Sequence, residues 1–356
     1  MPKKGFRELI KETQRDLLFC FSRLSNKVLI GPEVIQIPLT NACNLKCRMC
    51  SIPGGEHGEL SKEVIFDILR QASDMGIKEV VLTGGEPLLR RDLFEICNDC
   101  REHGLRSILT TNGTLVNDEL ANAIVFSGLS HIHFSLDGME ETNDFVRGKG
   151  NFAKTVQGIR MLDKLRKSHS RDLSIGIACT VMDHNLEDLP KLVEFADGLN
   201  VDVINFQPLL KDNSNTPDRD DSEFWIHEAK GSLLDAAIEK IKSFKGKHIH
   251  VFEEPDLKLL GKYYRKKLVP SDWKCFGGYK TIFICVGDNG APLVYTCHGI
   301  CGNLSEKSLR ECWGSQEAND LRRAVKTCKN PCLQSCYSRK GSESFAAIGL
   351  NFLKGL

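Results

Sequence analysis

Apolar and polar positions alternate along this chain in two registers. Between residues 34 and 208, short apolar runs rich in β-formers recur at Val34–Pro38, Val80–Thr83, Ser107–Thr111, His131–Leu136, Ile175–Val181 and Val203–Pro208. The stretches between them, among them Ser61–Ser73, Asp92–Glu102, Phe152–Lys167 and Leu186–Asp197, repeat apolar residues at the spacing of a helix with one buried face. Strands alternating with helices of this length predict βαβ crossovers and a parallel sheet. About six such units are present, short of the eight that close a full barrel. Periodicity alone leaves a partial barrel and a doubly wound sheet both open.

Ahead of the first strand, residues 5–30 read as one amphipathic helix with Phe6, Ile10, Leu17, Phe21, Leu24 and Val28 on one face. Seven Lys/Arg against three Asp/Glu up to residue 32 allow contact with a membrane surface, but a helix closing the bottom of the domain is the expectation. The polar segment 211–222, KDNSNTPDRDDS, predicts a loop, and a further helix is expected over Glu223–Phe244. Beyond Pro270 the character changes, with eight cysteines between Cys275 and Cys336. The expected divisions are an N-terminal helix (1–32), an α/β unit (33–245), a linker (246–270), a cysteine-rich unit (271–340) and a C-terminal tail helix (341–356).

Composition narrows the class. The chain has 356 residues, 41% hydrophobic and 27% charged, as an ordinary globular protein does. No apolar run approaches the roughly 20 residues a membrane-spanning helix needs. With 48 Lys+Arg against 47 Asp+Glu, bulk charge offers no argument for nucleic acid. The N-terminus lacks the apolar core and small-residue cleavage site of a signal peptide, so a cytoplasmic setting is expected. Cysteine is the outlier at 15. An odd number, crowded at two- and three-residue gaps in a reducing compartment, points to metal rather than disulfides.

The strongest signal is Thr40-Asn41-Ala42-Cys43-Asn44-Leu45-Lys46-Cys47-Arg48-Met49-Cys50, directly after the first strand. At this chain's cysteine frequency, roughly 0.03 such triplets are expected by chance. A closed zinc site takes four ligands, and no fourth Cys or His lies nearby in the loop. Three thiolates with an open position suit a catalytic metal or an iron–sulfur cluster with one iron left free.

In this setting the loop resembles the defining loop of the radical S-adenosylmethionine (radical SAM) enzymes. The resemblance implies a partial (β/α)6 TIM-like barrel and a [4Fe-4S] cluster on Cys43, Cys47 and Cys50. It also implies that the free iron chelates the methionine end of SAM. Met49 stands where family members usually carry an aromatic residue touching adenine, and a thioether fills that space. Thr83-Gly84-Gly85-Glu86-Pro87, after the second strand, is similar to the family's GGEP segment, which binds the amino group of SAM. Taken by themselves, the two glycines allow close backbone approach and the carboxylate accepts from an ammonium, with a plain βα turn as the alternative. Asn112 (in Thr111-Asn112-Gly113), together with Ser135 and Asp137 (in Ser135-Leu136-Asp137-Gly138), lies in segments similar to those near SAM in the family. Turn chemistry is the bland reading of both. Arg147 matches an arginine that pairs with the SAM carboxylate, against a solvated surface arginine. Val181 and Asn185 are candidates for the adenine side.

The later stretch from Cys297-His298-Gly299-Ile300-Cys301-Gly302-Asn303-Leu304 to Cys312-Trp313 resembles the signature of SPASM and twitch extensions, which carry auxiliary [4Fe-4S] clusters. The resemblance implies one auxiliary cluster drawing on Cys275, Cys297, Cys328, Cys332 and Cys336. Cys285, Cys301 and Cys312 are expected as packed residues, and a zinc-ribbon-like site is the alternative for this unit. His298 is a candidate acid or base, against a surface imidazole.

The chemistry so implied is reductive cleavage of SAM, hydrogen abstraction from a substrate C–H bond by a 5'-deoxyadenosyl radical, and net oxidation with the auxiliary cluster as electron acceptor. An external one-electron reductant such as flavodoxin or ferredoxin is implied as a partner. A small molecule or sugar is the expected substrate, because the stretch before the first strand is short for a peptide-recognition domain. A peptide-modifying maturase is the alternative, and a non-catalytic zinc-binding interaction protein the reading from another class.

Overall fold

A computed structural model describes residues 6–50, 52, 58–210, 223–253, 256–269, 271–328, 332–337 and a few tail positions. The six expected strands are present as β1 (Val34–Thr40), β2 (Glu79–Gly84), β3 (Arg106–Thr111), β4 (His131–Ser135), β5 (Ser174–Val181) and β6 (Val203–Pro208). Helices α2 (Lys62–Asp74), α3 (Leu93–Glu102), α4 (Asp118–Phe126), α5 (Glu140–Arg147), α6 (Asn151–Ser168) and α7 (Leu189–Gly198) follow them. Neighbouring strands from β1 to β6 pair in parallel. Local chemistry sets the helix starts: Ser61 accepts from Val64 N–H and Asn117 from Leu120 N–H, each capping a first turn.

The strands alternate faces. Ile35, Ile37, Leu39, Val80, Leu82, Leu109, Ile132, Phe134, Ile175, Ile177, Ile204 and Phe206 are buried in the core beneath the helices. The positions between them, such as Gln36, Thr83, Thr110, His133, Ser135 and Asn205, are half-buried on the other face. That pattern, with helices on one side and a lined interior on the other, is the partial barrel.

The sheet extends past six strands. The span 246–270, expected as a linker, contains β7 (His250–Phe252), parallel to β6, and α9 (Leu259–Tyr264). Helix α8 covers Gly231–Ser243, so it begins later than its apolar periodicity predicts. On the opposite side β8 (Thr281–Val286) pairs in parallel with β1, and β9 (Pro292–Thr296) and β10 (Gly299–Asn303) continue antiparallel. One ten-stranded sheet results, in the order β10-β9-β8-β1-β2-β3-β4-β5-β6-β7. The cysteine-rich unit is thus hydrogen-bonded to the first barrel strand. Helices α10 (Leu309–Gly314) and α11 (Gln316–Lys326) close it, the former started by a Ser308/Glu311 capping box.

Helix α1 spans Phe6–Ser25 and stops where Asn26 takes φ +59°, so Val28 lies outside it. Its buried residues are Leu9, Phe19 and Cys20, whereas Phe21 and Leu24 of the expected apolar face are 48% and 60% exposed. Phe19 packs with Phe276 and Tyr279, and Arg23 Nε donates to Cys275 O at 3.0 Å. The helix therefore packs on the residues that lead into β8, and Arg15 pairs with Glu33 just before β1. The loop 211–222 and most of the tail 341–356 lie outside the described residues; Phe345 sets its ring 5.1 Å from that of Phe21.

Candidate active site

The loop after β1 starts from a break in the ladder. The β1–β2 register shifts between Pro38 and Thr40, where proline has no N–H to offer. Cys43, Cys47 and Cys50 follow, all half-buried. Ala42 N–H donates to Thr40 Oγ1 at 3.0 Å, Cys50 N–H to Cys47 O at 3.1 Å, and Arg48 N–H to Val146 O at 2.9 Å. Arg90 ties the two ends of this segment together, donating to Leu39 O and Leu60 O, both at 2.8 Å, while pairing with Asp92.

The three thiols feel one another. Burial pushes Cys43 up, and Glu86 and Cys50 add to the rise, while Leu45 N–H and Asn112 Nδ2 donate to its sulfur at 3.4 and 3.9 Å. Burial also raises Cys47, opposed by the cation of Arg147. Desolvated thiols grouped in this way ionise readily only beside positive charge, which bound metal supplies.

The glycine pair serves this loop directly. A Cβ at Gly84 (φ +137°) would stand 2.3 Å from Thr40 O, and one at Gly85 would stand 2.3 Å from Ala42 O. Gly85 N–H and Glu86 N–H donate to those same carbonyls at 2.7 and 2.8 Å. Close backbone approach, expected toward a ligand, is here made to the cysteine loop itself. Glu86 is fully buried. Its carboxylate accepts from Leu88 N–H (3.0 Å), Thr111 Oγ1 (2.7 Å) and Asn112 N–H (2.8 Å), and burial outweighs these bonds to raise its pKa. Pro87 opens a short 3-10 turn after it. Asn112 Nδ2 also donates to Asn44 Oδ1 at 2.9 Å, so the end of β3 supports the loop from below.

Across the mouth, Arg147 at the end of α5 is 12% exposed and donates to fully buried Asp137 at 2.6 Å. Burial works against its charge, but Asp137 and Cys47 outweigh that and hold its pKa up. A solvated surface arginine is ruled out. Asp137 also accepts from Thr180 N–H at 2.8 Å. Asn185 Nδ2 donates to Asp137 O and Thr180 O, both at 2.7 Å, so this candidate for the adenine side joins the ends of β4 and β5. Val181 is fully buried, Ser135 ends β4 half-buried beside this network, and Met49 packs half-buried against the core.

The second group converges from four segments. Cys275 precedes β8, Cys297 sits in the β9–β10 turn, Cys328 follows α11, Cys332 precedes a short 3-10 turn and Cys336 lies within it. Cys275 is pushed up by burial and then by Cys332, Cys297 and Cys328. Cys336 is likewise raised by burial, then by Cys332 and Cys297. These five thiols thus share one neighbourhood. A Cβ at Gly277 would stand 3.3 Å from Cys275 Sγ and 3.3 Å from Cys297 Cβ, so glycine leaves that space open. Cys301 and Cys312 are buried elsewhere, packed together, and Cys285 lies in β8 facing Leu293 O. His298 is exposed in the β9–β10 turn. Among the described residues, no group of three or more His, Cys, Asp or Glu side chains converges closely enough for a single metal ion.

Arg90, Gly277 and Tyr337 went unrecognised in the sequence. Of these, only Tyr337 carried a signal, its place directly after Cys336.

Three half-buried thiols thus follow the C-terminal end of the first strand of a parallel partial barrel, with the buried Arg147 beside Cys47. Residues 37–196 match the family model of the Radical SAM superfamily. It is similar to Fe-coproporphyrin III synthase of Methanosarcina barkeri, 32% identical over 48% of this chain and 43% of that protein. It spans well under two thirds of that relative's length. The AdoMet-dependent heme synthase of the same organism is 28% identical over 85% of this chain and 88% of its own. In fold, Streptococcus suis SuiB bound to S-adenosylmethionine superposes with TM-score 0.66, covering 96% of this chain and 84% of SuiB at 16% identity. A match to the Radical SAM superfamily, which uses a [4Fe-4S] cluster and SAM, therefore lies within residues 37–196, and a cysteine-rich unit follows it. No described helix is long and apolar enough to cross a membrane.

Proposed function

We propose that this chain is a radical SAM oxidoreductase that removes hydrogen from a small molecule or sugar and passes the remaining electron to an auxiliary [4Fe-4S] cluster. The observation that carries the reading is the two separate thiol groups, three after β1 and five that neighbour one another in the cysteine-rich unit, joined through the β1–β8 pairing. Cys43, Cys47 and Cys50 would hold the first cluster, and Cys275, Cys297, Cys328, Cys332 and Cys336 would supply the ligands of the second. When bound, the first cluster and SAM supply reductive cleavage to a 5'-deoxyadenosyl radical and hydrogen abstraction from a C–H bond.

The chain's own residues position and shield. Gly84 and Gly85 press the cysteine loop against β2, and Glu86 fastens β2 to β3. Arg147 offers a buried cation beside Cys47 for a carboxylate such as that of SAM. The half-buried side chains on the inner face of β1–β6, such as Gln36, Thr83, Thr110, His133 and Asn205, would line the space for a substrate. The heme synthase matched over most of both chains makes a porphyrin the first small molecule to test. An external flavodoxin or ferredoxin is the proposed electron donor.

Anaerobic purification tests the reading. Brown protein with about 8 Fe per chain and SAM-dependent release of 5'-deoxyadenosine are expected. Colourless, zinc-loaded protein without SAM cleavage would establish the interaction-protein alternative. A Cys43/Cys47/Cys50→Ala triple variant is expected to keep about 4 Fe and lose cleavage; retained cleavage refutes the loop assignment.

A further inference from the structure

Arg48 stands between two of the three loop thiols, directly after Cys47 and two residues before Cys50. The last turn of α5 holds it in two ways. Arg48 N–H donates to Val146 O at 2.9 Å, filling one of the carbonyls that a helix end leaves without an intrahelical partner. The neighbouring Phe145 sets its ring against the Arg48 guanidinium, whose carbon lies 4.0 Å from the ring centroid. Phe145 is 40% exposed, so its ring can be exchanged without opening the core. The ring is itself fixed by further aromatics. It stacks on His184, after β5, with centroids 4.9 Å apart and planes 25° from parallel, and His184 in turn meets Phe224 at 5.4 Å. Asp183 N–H donates to Phe224 O at 3.0 Å, which ties the far end of this row to the loop after β5. Arg48 also reaches Glu223 at 2.8 Å, but both side chains are nearly half exposed, and such a pair contributes little.

We propose that Phe145 is a positioning residue of the first thiol group, whose ring face holds the Arg48 cation, and with it the Cys47–Cys50 end of the loop, against α5. A guanidinium over an aromatic face is attracted by the ring quadrupole, which an aliphatic side chain of similar size lacks. A loop held beforehand in its binding shape loses less freedom when a metal group binds. Use of the loop by a [4Fe-4S] cluster rests on the function proposed above; the position of the loop does not.

The experiment is hydrogen–deuterium exchange, read by mass spectrometry, on the full chain freed of iron, for the parent, F145L, F145W and E223Q. F145L is expected to speed exchange of the peptide covering residues 45–50 about two- to fivefold, the size of an exposed cation–π contact, with Tm within about 2 °C of the parent. F145W restores a ring face and should return the parent rate, and E223Q should change it less than about twofold. Unchanged exchange in F145L, or a loop as open in F145W or E223Q as in F145L, overturns the role of Phe145. Iron release gives a second readout. In reconstituted protein, the iron that the Cys43/Cys47/Cys50→Ala variant lacks should pass to a chelator faster in F145L than in the parent. An equal release rate refutes the use of this contact in holding metal, whereas absence of iron at the loop in the parent overturns the cluster reading instead and leaves the exchange result to decide the role of Phe145.

Discussion

Replacing Asp137 with alanine strands a guanidinium inside the fold. Asp137 is fully buried, Arg147 is 12% exposed, and they meet at 2.6 Å, so solvent cannot take over the lost partner. Removing one member of a buried pair costs about 3–5 kcal/mol. Thr180 N–H loses its 2.8 Å acceptor in the same substitution, a penalty that overlaps with the first. We expect about 4 kcal/mol, which at the usual unfolding entropy per residue across 356 residues lowers Tm by about 5 °C. Asp137→Ala/Arg147→Met, which removes both charges, is expected to be more stable than Asp137→Ala alone. The assay is thermal unfolding under argon, followed by far-UV circular dichroism and by cluster absorbance. An Asp137→Ala protein melting within about 1 °C of the parent, or a double variant showing the full sum of both single losses, refutes the coupled-pair reasoning.

Three other outcomes follow from the same geometry. Burial holds His131 and His133 down to about 4 and about 3, with Arg106 adding to the first shift, Asp202 opposing it, and His131 adding to the second. Both folded values lie below the unfolded one, so the unfolded chain binds protons first; stability is whole above about pH 6.5 and falls as pH drops toward 4. Each histidine then costs up to about 2 kcal/mol at pH 5, and His133→Gln should flatten the stability–pH curve on the acid side; an unchanged slope counts against this. Gly85→Ala forces a Cβ to within 2.3 Å of Ala42 O, so iron at the first loop should fall sharply while auxiliary iron stays, as metal analysis in the Cys275→Ala background and in the parent would show. Cys301→Ala and Cys285→Ala remove packed thiols, so each should leave iron content unchanged and cost about 1 kcal/mol or less in thermal unfolding; loss of iron would move them into the ligand set.

Much of the fold was legible because strand and helix periods are local properties. All six barrel strands lie within two residues of their apolar runs, and Ser61 and Asn117 start their helices by chemistry visible in the chain. Short elements were not legible: β7 has three residues and α9 six, too few to display a period. The face of α1 was misjudged because its partner is remote. Phe19 packs with Phe276 and Tyr279, more than 250 positions away, and apolar spacing along a helix says nothing about which stripe a distant surface covers.

The site divides in the same way. Three cysteines within eight residues can fold onto one centre within a single loop, so spacing alone nominated Cys43, Cys47 and Cys50. Roles that depend on distance did not follow from spacing. Gly84 and Gly85, expected beside a ligand, pack on the loop that would hold it, and Asn185 joins two strand ends. Arg147 could have been a solvated side chain until Asp137, ten residues earlier on another element, buried it. Cys275, Cys297, Cys328, Cys332 and Cys336 span some sixty residues, and it takes the β8–β9–β10 meander, paired through β8 onto β1, to bring them together. Residue type and short-range spacing therefore established which chemistry this chain carries; long-range packing, which no local pattern encodes, decided which atoms face each other to perform it.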